Sequence, residues 1–242
     1  LTYADLGVAG ITQQYSGSVN MTNLQLTTAS GFLPGDSVTA SATGTFAAKN
    51  VGTSVAYTIG VALTGSDAAN YQMSAGASYT GNNGVITQLA SVTYTGSSAG
   101  GNWSNPANWT TTGTSTVGAI PDLSNVATVI IPVGSTVIYD AGVEGTVTSS
   151  VITSGNITMN LPSATTISMP ISGAGTVTIA NAGVVTMSGD NSYTGGTILS
   201  AGSSLVAGSN NAIAGGAITS NGTSVSPATF SVGGGVDRKS VV

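Results

Sequence analysis

The sequence lacks cysteine and histidine altogether, and only three of its 242 residues are lysine or arginine. A chain without cysteine forms no disulfide and no thiolate metal site. With neither histidine nor cysteine, it cannot assemble a Ser/His/Asp triad or a thiol nucleophile. Three basic residues are too few to neutralise a phosphate backbone, so we predict no nucleic-acid partner.

Charge and long apolar runs are also scarce. Charged residues make up 5% of the chain and hydrophobic residues 40%, whereas disordered chains combine high charge with low hydrophobicity. A membrane-spanning helix needs about 18 consecutive apolar residues, and no uninterrupted apolar run in the sequence is that long. We therefore predict no membrane span. The 35 glycines and the frequent β-branched residues interrupt every helical pattern. The composition therefore predicts an all-β fold.

Residues 1–88 contain alternating runs of strand length. Turn signals separate these runs, among them "PGD" at 34–36 and "GNNG" at 81–84. Short strands at this spacing predict a small antiparallel β-sandwich domain.

After this domain the rhythm of the sequence changes. Residues 89–124 are rich in loop residues, and we predict that they connect the domain to a β-helix and cap its open end. In 125–236, very short apolar runs alternate with glycine and asparagine turns, which predicts a right-handed parallel β-helix with coils of about 20 to 25 residues. The stretch "SGDNSYTGGTILSAGSSLVAGS" at 188–209 is predicted to be one coil, with Ile198 and Leu205 pointing inward.

The two ends of the chain carry separate expectations. The sequence starts without methionine, and we expect it to be part of a longer protein. Residues 237–242, "DRKSVV", hold two of the three basic residues and resemble translated vector sequence. We predict that they are a non-native tail.

Four short motifs stand out in residues 1–88. They are Tyr15-Ser16-Gly17, the Gly35-Asp36 turn, "TFAAKNVGT" at 45–53 and "LTGSDAANYQMS" at 63–74. Together they resemble the YDG/MBG-type repeat of large filamentous haemagglutinin-like adhesins of Gram-negative bacteria. Ser16 stands where that family has aspartate, and because serine caps the same kind of turn less strongly, we expect the fold to be kept.

The rest of the chain carries a second resemblance. "GNWSNPANW" at 101–109 and "IPDLSNVATVIIP" at 120–132 resemble the opening segments of filamentous haemagglutinin β-helices. Residues 189–222 resemble the autotransporter-associated β-strand repeat. The two resemblances imply a secreted or surface-anchored adhesin, exported through an outer-membrane transporter by a two-partner or autotransporter route. They imply attachment to surface glycans or proteins, biofilm cohesion and a role as a stiff spacer.

Trp103 and Trp109 are the candidate glycan contacts, since an exposed indole stacks on the face of a sugar. The alternative is that they plug the first coil of the β-helix. A carbohydrate-active β-helix enzyme is the alternative function, and its carboxylate pair would be Asp140 and Glu144. We predict no enzymatic activity, no cofactor and no metal site, although Asp190 stands in the sequence setting of a calcium ligand.

Overall fold

The fold is described by a computed structural model, which covers residues 2–9, 11–73, 76–180 and 183–237. The chain divides into two compact units, residues 1–87 and 88–242. Apart from two short 3-10 turns, Ala68–Asn70 and Pro106–Asn108, the regular structure is all strand, as predicted. Within the described residues, no helix is long and apolar enough to cross a membrane.

Among the described residues of the first unit, seven strands form two sheets. They are β1 (Thr2–Ala9), β2 (Thr12–Gln14), β3 (Gln25–Ser30), β4 (Thr39–Phe46), β5 (Gly52–Thr64), β6 (Tyr71–Met73) and β7 (Ser78–Thr87). One sheet has the order β3-β1-β6 and the other the order β2-β7-β5-β4. Strand β5 pairs with β4 and β7 in the antiparallel sense that the sequence predicts. Two parallel pairings, β1 with β6 and β2 with β7, were not predicted, because they join strands far apart in sequence.

The core of the first unit follows from side-chain alternation along the strands. In β5, Ile59 and Val61 are buried, whereas their neighbours Thr58 and Ala62 are exposed. Phe46 at the end of β4 and Ile86 in β7 complete this apolar face. The opposite face of the sheet is therefore left to small and hydroxyl-bearing side chains.

Fifteen strands build the described part of the second unit. They are β8 (Leu89–Tyr94), β9 (Gly101–Asn102), β10 (Trp109–Thr111), β11 (Val126–Ile131), β12 (Thr136–Asp140), β13 (Ser150–Thr153), β14 (Asn156–Asn160), β15 (Thr165–Ile167), β16 (Ile171–Ser172), β17 (Thr176–Ile179), β18 (Val184–Met187), β19 (Thr197–Leu199), β20 (Ser204–Ala207), β21 (Ile218–Ser220) and β22 (Thr229–Val232). They form three sheets with the orders β10-β8-β11-β13-β16, β21-β19-β17-β14-β12-β9 and β15-β18-β20-β22. Every pairing except that of β10 with β8 is parallel, which is the arrangement of a parallel β-helix.

The coil length is constant through the middle of this unit. Thr136, Asn156 and Thr176 occupy one column of paired residues, so successive coils are offset by about 20 residues. Inward-facing residues stack in the same way. One column is Tyr139, Met159, Ile179 and Leu199, and another is Val137, Ile157, Val177 and Thr197. These stacked side chains are almost fully buried and form the core of the β-helix.

Glycines allow successive coils to approach closely at one corner of the β-helix. Gly155, Gly175 and Gly195 follow one another at the coil spacing, and the N–H of Gly195 donates to the carbonyl oxygen of Gly175 at 3.1 Å. A Cβ on Gly175 would lie 2.2 Å from the carbonyl oxygen of Gly155, and a Cβ on Gly195 2.4 Å from that of Gly175. No other residue fits this corner without moving the backbone.

The predicted coil at 188–209 is confirmed in its pairing and partly wrong in its orientation. Strand β19 lies between β17 and β21 and pairs in parallel with both. Leu205 is fully buried, as predicted. Ile198, however, lies on the outer face, while Thr197 and Leu199 point inward. Alignment with Val177, which is buried in the preceding coil, places Thr197 inside.

Two sequence predictions concern the edges of this unit. Strand β8 pairs in parallel with β11, so the first sheet of the β-helix already begins within the predicted connection at 89–124. Of the predicted tail, only Asp237 is described, and its N–H donates to the side-chain oxygen of Asn210 at 2.8 Å. The remainder of that prediction, residues 238–242, lies outside the described residues.

Candidate functional site

Trp103 and Trp109 lie in an aromatic cluster inside the first coil of the β-helix. Both side chains are 0% exposed. The two indoles meet edge to face with ring centroids 4.9 Å apart, and Tyr139 and Tyr94 flank them at 5.2 and 5.6 Å. Edge-to-face packing of this kind adds about 0.5–1.5 kcal/mol for each pair beyond burial.

The indole N–H groups are also engaged within the protein. That of Trp103 donates to the carbonyl oxygen of Pro121 at 3.0 Å, and that of Trp109 donates to the carbonyl oxygen of Trp103 at 2.6 Å. A glycan contact at either residue needs an exposed indole face, and the structure offers neither. The geometry therefore contradicts the glycan contact and agrees with the alternative, a hydrophobic plug in the first coil.

The acidic residues of the β-helix are tied to neighbouring backbone and amide groups. The carboxylate of Asp140 accepts hydrogen bonds from the N–H of Ser104 at 3.0 Å, from the hydroxyl of Ser104 at 2.6 Å and from the N–H of Gly142 at 3.3 Å. Asp190 is exposed and accepts from the side chain of Asn211 at 2.7 Å. Glu144 also has an interaction partner. Across the described ranges, no three His, Cys, Asp or Glu side chains come close enough together to hold a metal ion.

Burial beside Asp140 changes the acidity of one tyrosine. Desolvation, with the nearby charge of Asp140 as a smaller cause, raises the pKa of Tyr139 to about 12. Tyr139 thus stays protonated throughout the physiological range. Its phenol is a structural group at the base of the aromatic cluster.

The glycine-rich stretch at 188–209 holds its polar side chains in the wall of the β-helix. Asn191 accepts from the N–H of Ile171 at 2.9 Å and donates to the carbonyl oxygen of Ala212 at 2.6 Å, so it bridges the coils on either side. The buried phenol of Tyr193 and the hydroxyl of Thr197 share a hydrogen bond of 2.7 Å. These contacts satisfy backbone and hydroxyl groups that burial would otherwise leave unpaired. The stretch is one coil of the β-helix.

Two of the motifs in the first unit meet in one place. The phenol of Tyr71 donates to Asp36 at 2.7 Å and accepts from the N–H of Leu33 at 2.8 Å. Asp67 accepts from the N–H of Ser37 at 2.8 Å, which ties the same turn a second time. The Leu33 contact lowers the pKa of Tyr71, but desolvation and the carboxylate of Asp36 raise it more, so the net shift is upward. These hydrogen bonds therefore join the Gly35-Asp36 turn to Tyr71, the first residue of β6, and to Asp67 in the segment before it.

The Tyr15-Ser16-Gly17 turn follows strand β2. The hydroxyl of Ser16 accepts from the N–H of Ser18 at 3.4 Å, so the serine caps this turn weakly, as predicted for its replacement of aspartate. Gly17 has a φ of 79°, which a residue with a side chain rarely adopts. The turn leads into residues 20–24, which we name the wall segment.

The wall segment and strands β4 and β5 line an open groove of about 600 Å³. Two cross-strand pairs form its floor, Thr43 opposite Gly60 and Thr45 opposite Thr58. The full lining is Asn20, Met21, Thr22, Leu24, Ala42, Thr43, Gly44, Thr45, Thr58 and Gly60. The lining carries no ionisable group, so the groove offers hydroxyl, amide and apolar contacts only.

Three interactions fix the wall segment beside β4. The N–H of Met21 donates to the carbonyl oxygen of Gly44 at 2.9 Å. The buried side chain of Gln13 accepts from the N–H of Thr22 at 3.0 Å and donates to the carbonyl oxygen of Asn20 at 3.3 Å. Gly44 leaves room for the segment, because a Cβ there would lie 2.5 Å from the sulfur of Met21. The groove is therefore formed by the fold itself and needs no ligand to shape it.

Sequence reasoning missed this groove. Its lining comes from the wall segment and two strands that are separated along the chain, and none of these residues belongs to a known binding pattern. The one available signal was Gln13, a polar residue at a buried position of β2. A buried amide must find partners, which here are the backbone groups of the wall segment.

Comparison with known families finds one match, and it is confined to the first unit. Residues 3–80 match the YDG domain family. No curated protein and no solved structure matches the chain. The match supports an adhesin-like surface module at residues 3–80.

Proposed function

We propose that this chain is a structural and adhesive segment of a large bacterial surface protein, in which the β-helix acts as a stiff spacer. The observation that carries the proposal is the joining of a YDG domain match to a regular parallel β-helix. Adhesive contacts on such a segment are weak individually and gain strength by repetition along the protein.

The β-helix has the properties that a spacer needs. Its longest sheet stacks six strands, and five intervals of about 4.8 Å give a rod of about 24 Å. Each coil binds the next through backbone hydrogen bonds and through continuous columns of buried side chains. Stability in such an array builds up from nearest-neighbour contacts, so it does not depend on disulfides.

We propose a role without catalysis. The carboxylate of Asp140 is held by Ser104 and Gly142, and Asp190 is bound to Asn211. A glycosidase needs two carboxylates facing one bond across a cleft, and these contacts instead tie Asp140 to Ser104 and Asp190 to Asn211, each in another coil or segment of the unit.

We further propose an extracellular location on a Gram-negative cell, with export through an outer-membrane transporter by a filamentous haemagglutinin-like two-partner or autotransporter route. The resemblance of residues 189–222 to the autotransporter-associated repeat supports this, as does the absence of cysteine. Its partners would be glycans or proteins on host or environmental surfaces.

The test is adhesion of the purified chain. Beads coated with the chain should attach to epithelial monolayers or mucin-coated surfaces under flow, and beads coated with a chain-length-matched non-adhesive β-helix should wash off. A lack of attachment above this control would contradict the adhesive role. Release of reducing sugar ends from neutral or acidic polysaccharides by the chain would instead support the enzymatic alternative.

A further inference from the structure

We propose that the groove of the first unit binds a neutral saccharide. The inference rests on the proposed adhesive function and assigns its contact to one site. That site is the lining of the groove between the wall segment and strands β4 and β5.

The groove has the capacity and the contacts that a short saccharide needs. Its volume of about 600 Å³ lies within the range of about 300–1,000 Å³ typical of small-molecule sites. The hydroxyls of Thr43, Thr45 and Thr58 and the side-chain amide of Asn20 all line it, and none has a hydrogen-bond partner within the described residues. Sugar hydroxyls both donate and accept, as these groups do.

The pairing of the strands brings these polar groups together. Asn20 lies opposite Thr45, and Thr45 lies opposite Thr58, so the three side chains form one row across the sheet. Residues directly opposite one another have Cβ atoms about 4.5–5.5 Å apart. A saccharide lying along this row can contact all three side chains at once.

Charge decides which saccharides fit. The groove has no ionisable lining group, and the whole chain has three basic residues and a net charge of −5. An acidic sugar would lose hydration at this site and gain no opposite charge in return. The groove therefore favours neutral sugars over sialylated, sulfated or uronic acid forms.

Gly60 offers a way to fill the groove without disturbing the fold. A Cβ there would meet nothing closer than the hydroxyl oxygen of Thr43 at 3.8 Å, and its backbone does not have a positive φ. Valine suits a β-strand, so Gly60→Val should fold and obstruct the floor. Ala62→Val is the matched control, because Ala62 is exposed two residues further along the same face of β5 and does not line the groove.

The experiment probes the full chain with an array of short neutral oligosaccharides and their sialylated and sulfated counterparts, followed by calorimetry on the strongest neutral binder. We expect Gly60→Val to weaken binding about tenfold or more and Ala62→Val to leave it unchanged. Thr45→Val and Thr58→Val, which keep the side-chain shape, should each weaken it about threefold to tenfold. Circular dichroism of each variant verifies the fold.

Two results would overturn the inference. One is an array on which no neutral oligosaccharide binds, and the other is a folded Gly60→Val chain that binds like the unchanged protein. Bead adhesion separates this failure from that of the proposed function. Beads that attach equally with and without Gly60→Val would keep the adhesive role and reject the groove, whereas beads that never attach would reject the adhesive role itself.

Discussion

Ser203 presents the sharpest test of the β-helix interior. Its side chain is 1% exposed, and its hydroxyl oxygen has no hydrogen-bond partner among the described residues. The backbone at this position is satisfied, since the N–H donates to Ser200 at 3.1 Å and the carbonyl accepts from Thr229 at 2.9 Å. Ser203→Ala therefore removes the unpaired hydroxyl and leaves every other contact of the residue in place.

The expected gain follows from the cost of burying that hydroxyl. An unpaired buried hydroxyl costs about 1–3 kcal/mol, and the small void left by its removal returns part of this. We expect Ser203→Ala to raise the free energy of unfolding by about 1 kcal/mol. Ser149→Ala is the matched control, because Ser149 is also 1% exposed but donates its hydroxyl proton to the carbonyl oxygen of Val126. The same substitution there should lower the free energy of unfolding by about 1–2 kcal/mol.

Urea unfolding followed by tryptophan fluorescence measures both variants. Trp103 and Trp109 both belong to the second unit, so their emission reports on the β-helix alone. With a denaturant slope of about 2–3 kcal/mol/M, the midpoint should rise by about 0.4 M for Ser203→Ala and fall by about 0.4–0.8 M for Ser149→Ala. A Ser203→Ala midpoint at or below that of the unchanged chain would refute the reasoning. It would mean that the hydroxyl already has a partner, such as a buried water.

Two further predictions concern the same unit and use the same unfolding measurement. Gly175→Ala should lower the free energy of unfolding by about 2 kcal/mol or more, and with it the midpoint, because the added carbon would lie 2.2 Å from the Gly155 carbonyl oxygen. Gly215→Ala, whose added carbon meets nothing within 4 Å, should leave the midpoint unchanged, and equal effects would contradict the corner packing. Stability should also fall as pH rises from about 10 to 12, because the folded pKa of Tyr139 is raised to about 12 from 10.0. Its protonated form thus contributes roughly 3 kcal/mol below pH 10, and Tyr139→Phe should flatten that loss.

Much of the β-helix could be predicted from the sequence because its strands are short apolar runs between glycine turns. "STVIY", "NITMN" and "GTVTIA" mark β12, β14 and β17, and their common spacing matches the coil length. Strand β16 could not be recognised, since it has two residues and is defined only by its pairing with β13. Such a strand is defined by the hydrogen bonds to its neighbour, and its own two residues do not indicate that pairing.

The orientation of a short strand is harder to predict than its existence. In "TIL" at 197–199, both Ile198 and Thr197 suit a half-buried pleated position, so composition alone favours isoleucine for the interior. Alignment with the preceding coil fixes the outcome, and the interior threonine is compensated by its bond to Tyr193. A shift of one residue reverses every side chain of a strand, and only neighbouring coils set the alignment.

Several conspicuous polar and aromatic residues of the sequence use their polar groups internally. Asn191 bridges two coils, Asp36 holds the phenol of Tyr71, and the indole N–H groups bond to backbone carbonyls. Such groups are recognisable in sequence because the fold depends on them. The proposed saccharide groove instead uses side chains whose hydroxyls and amides the fold leaves unpaired, which are Asn20, Thr43, Thr45 and Thr58. In a chain with so little charge, the proposed recognition rests on neutral hydrogen bonds, which are weak at one site and gain strength only through repetition.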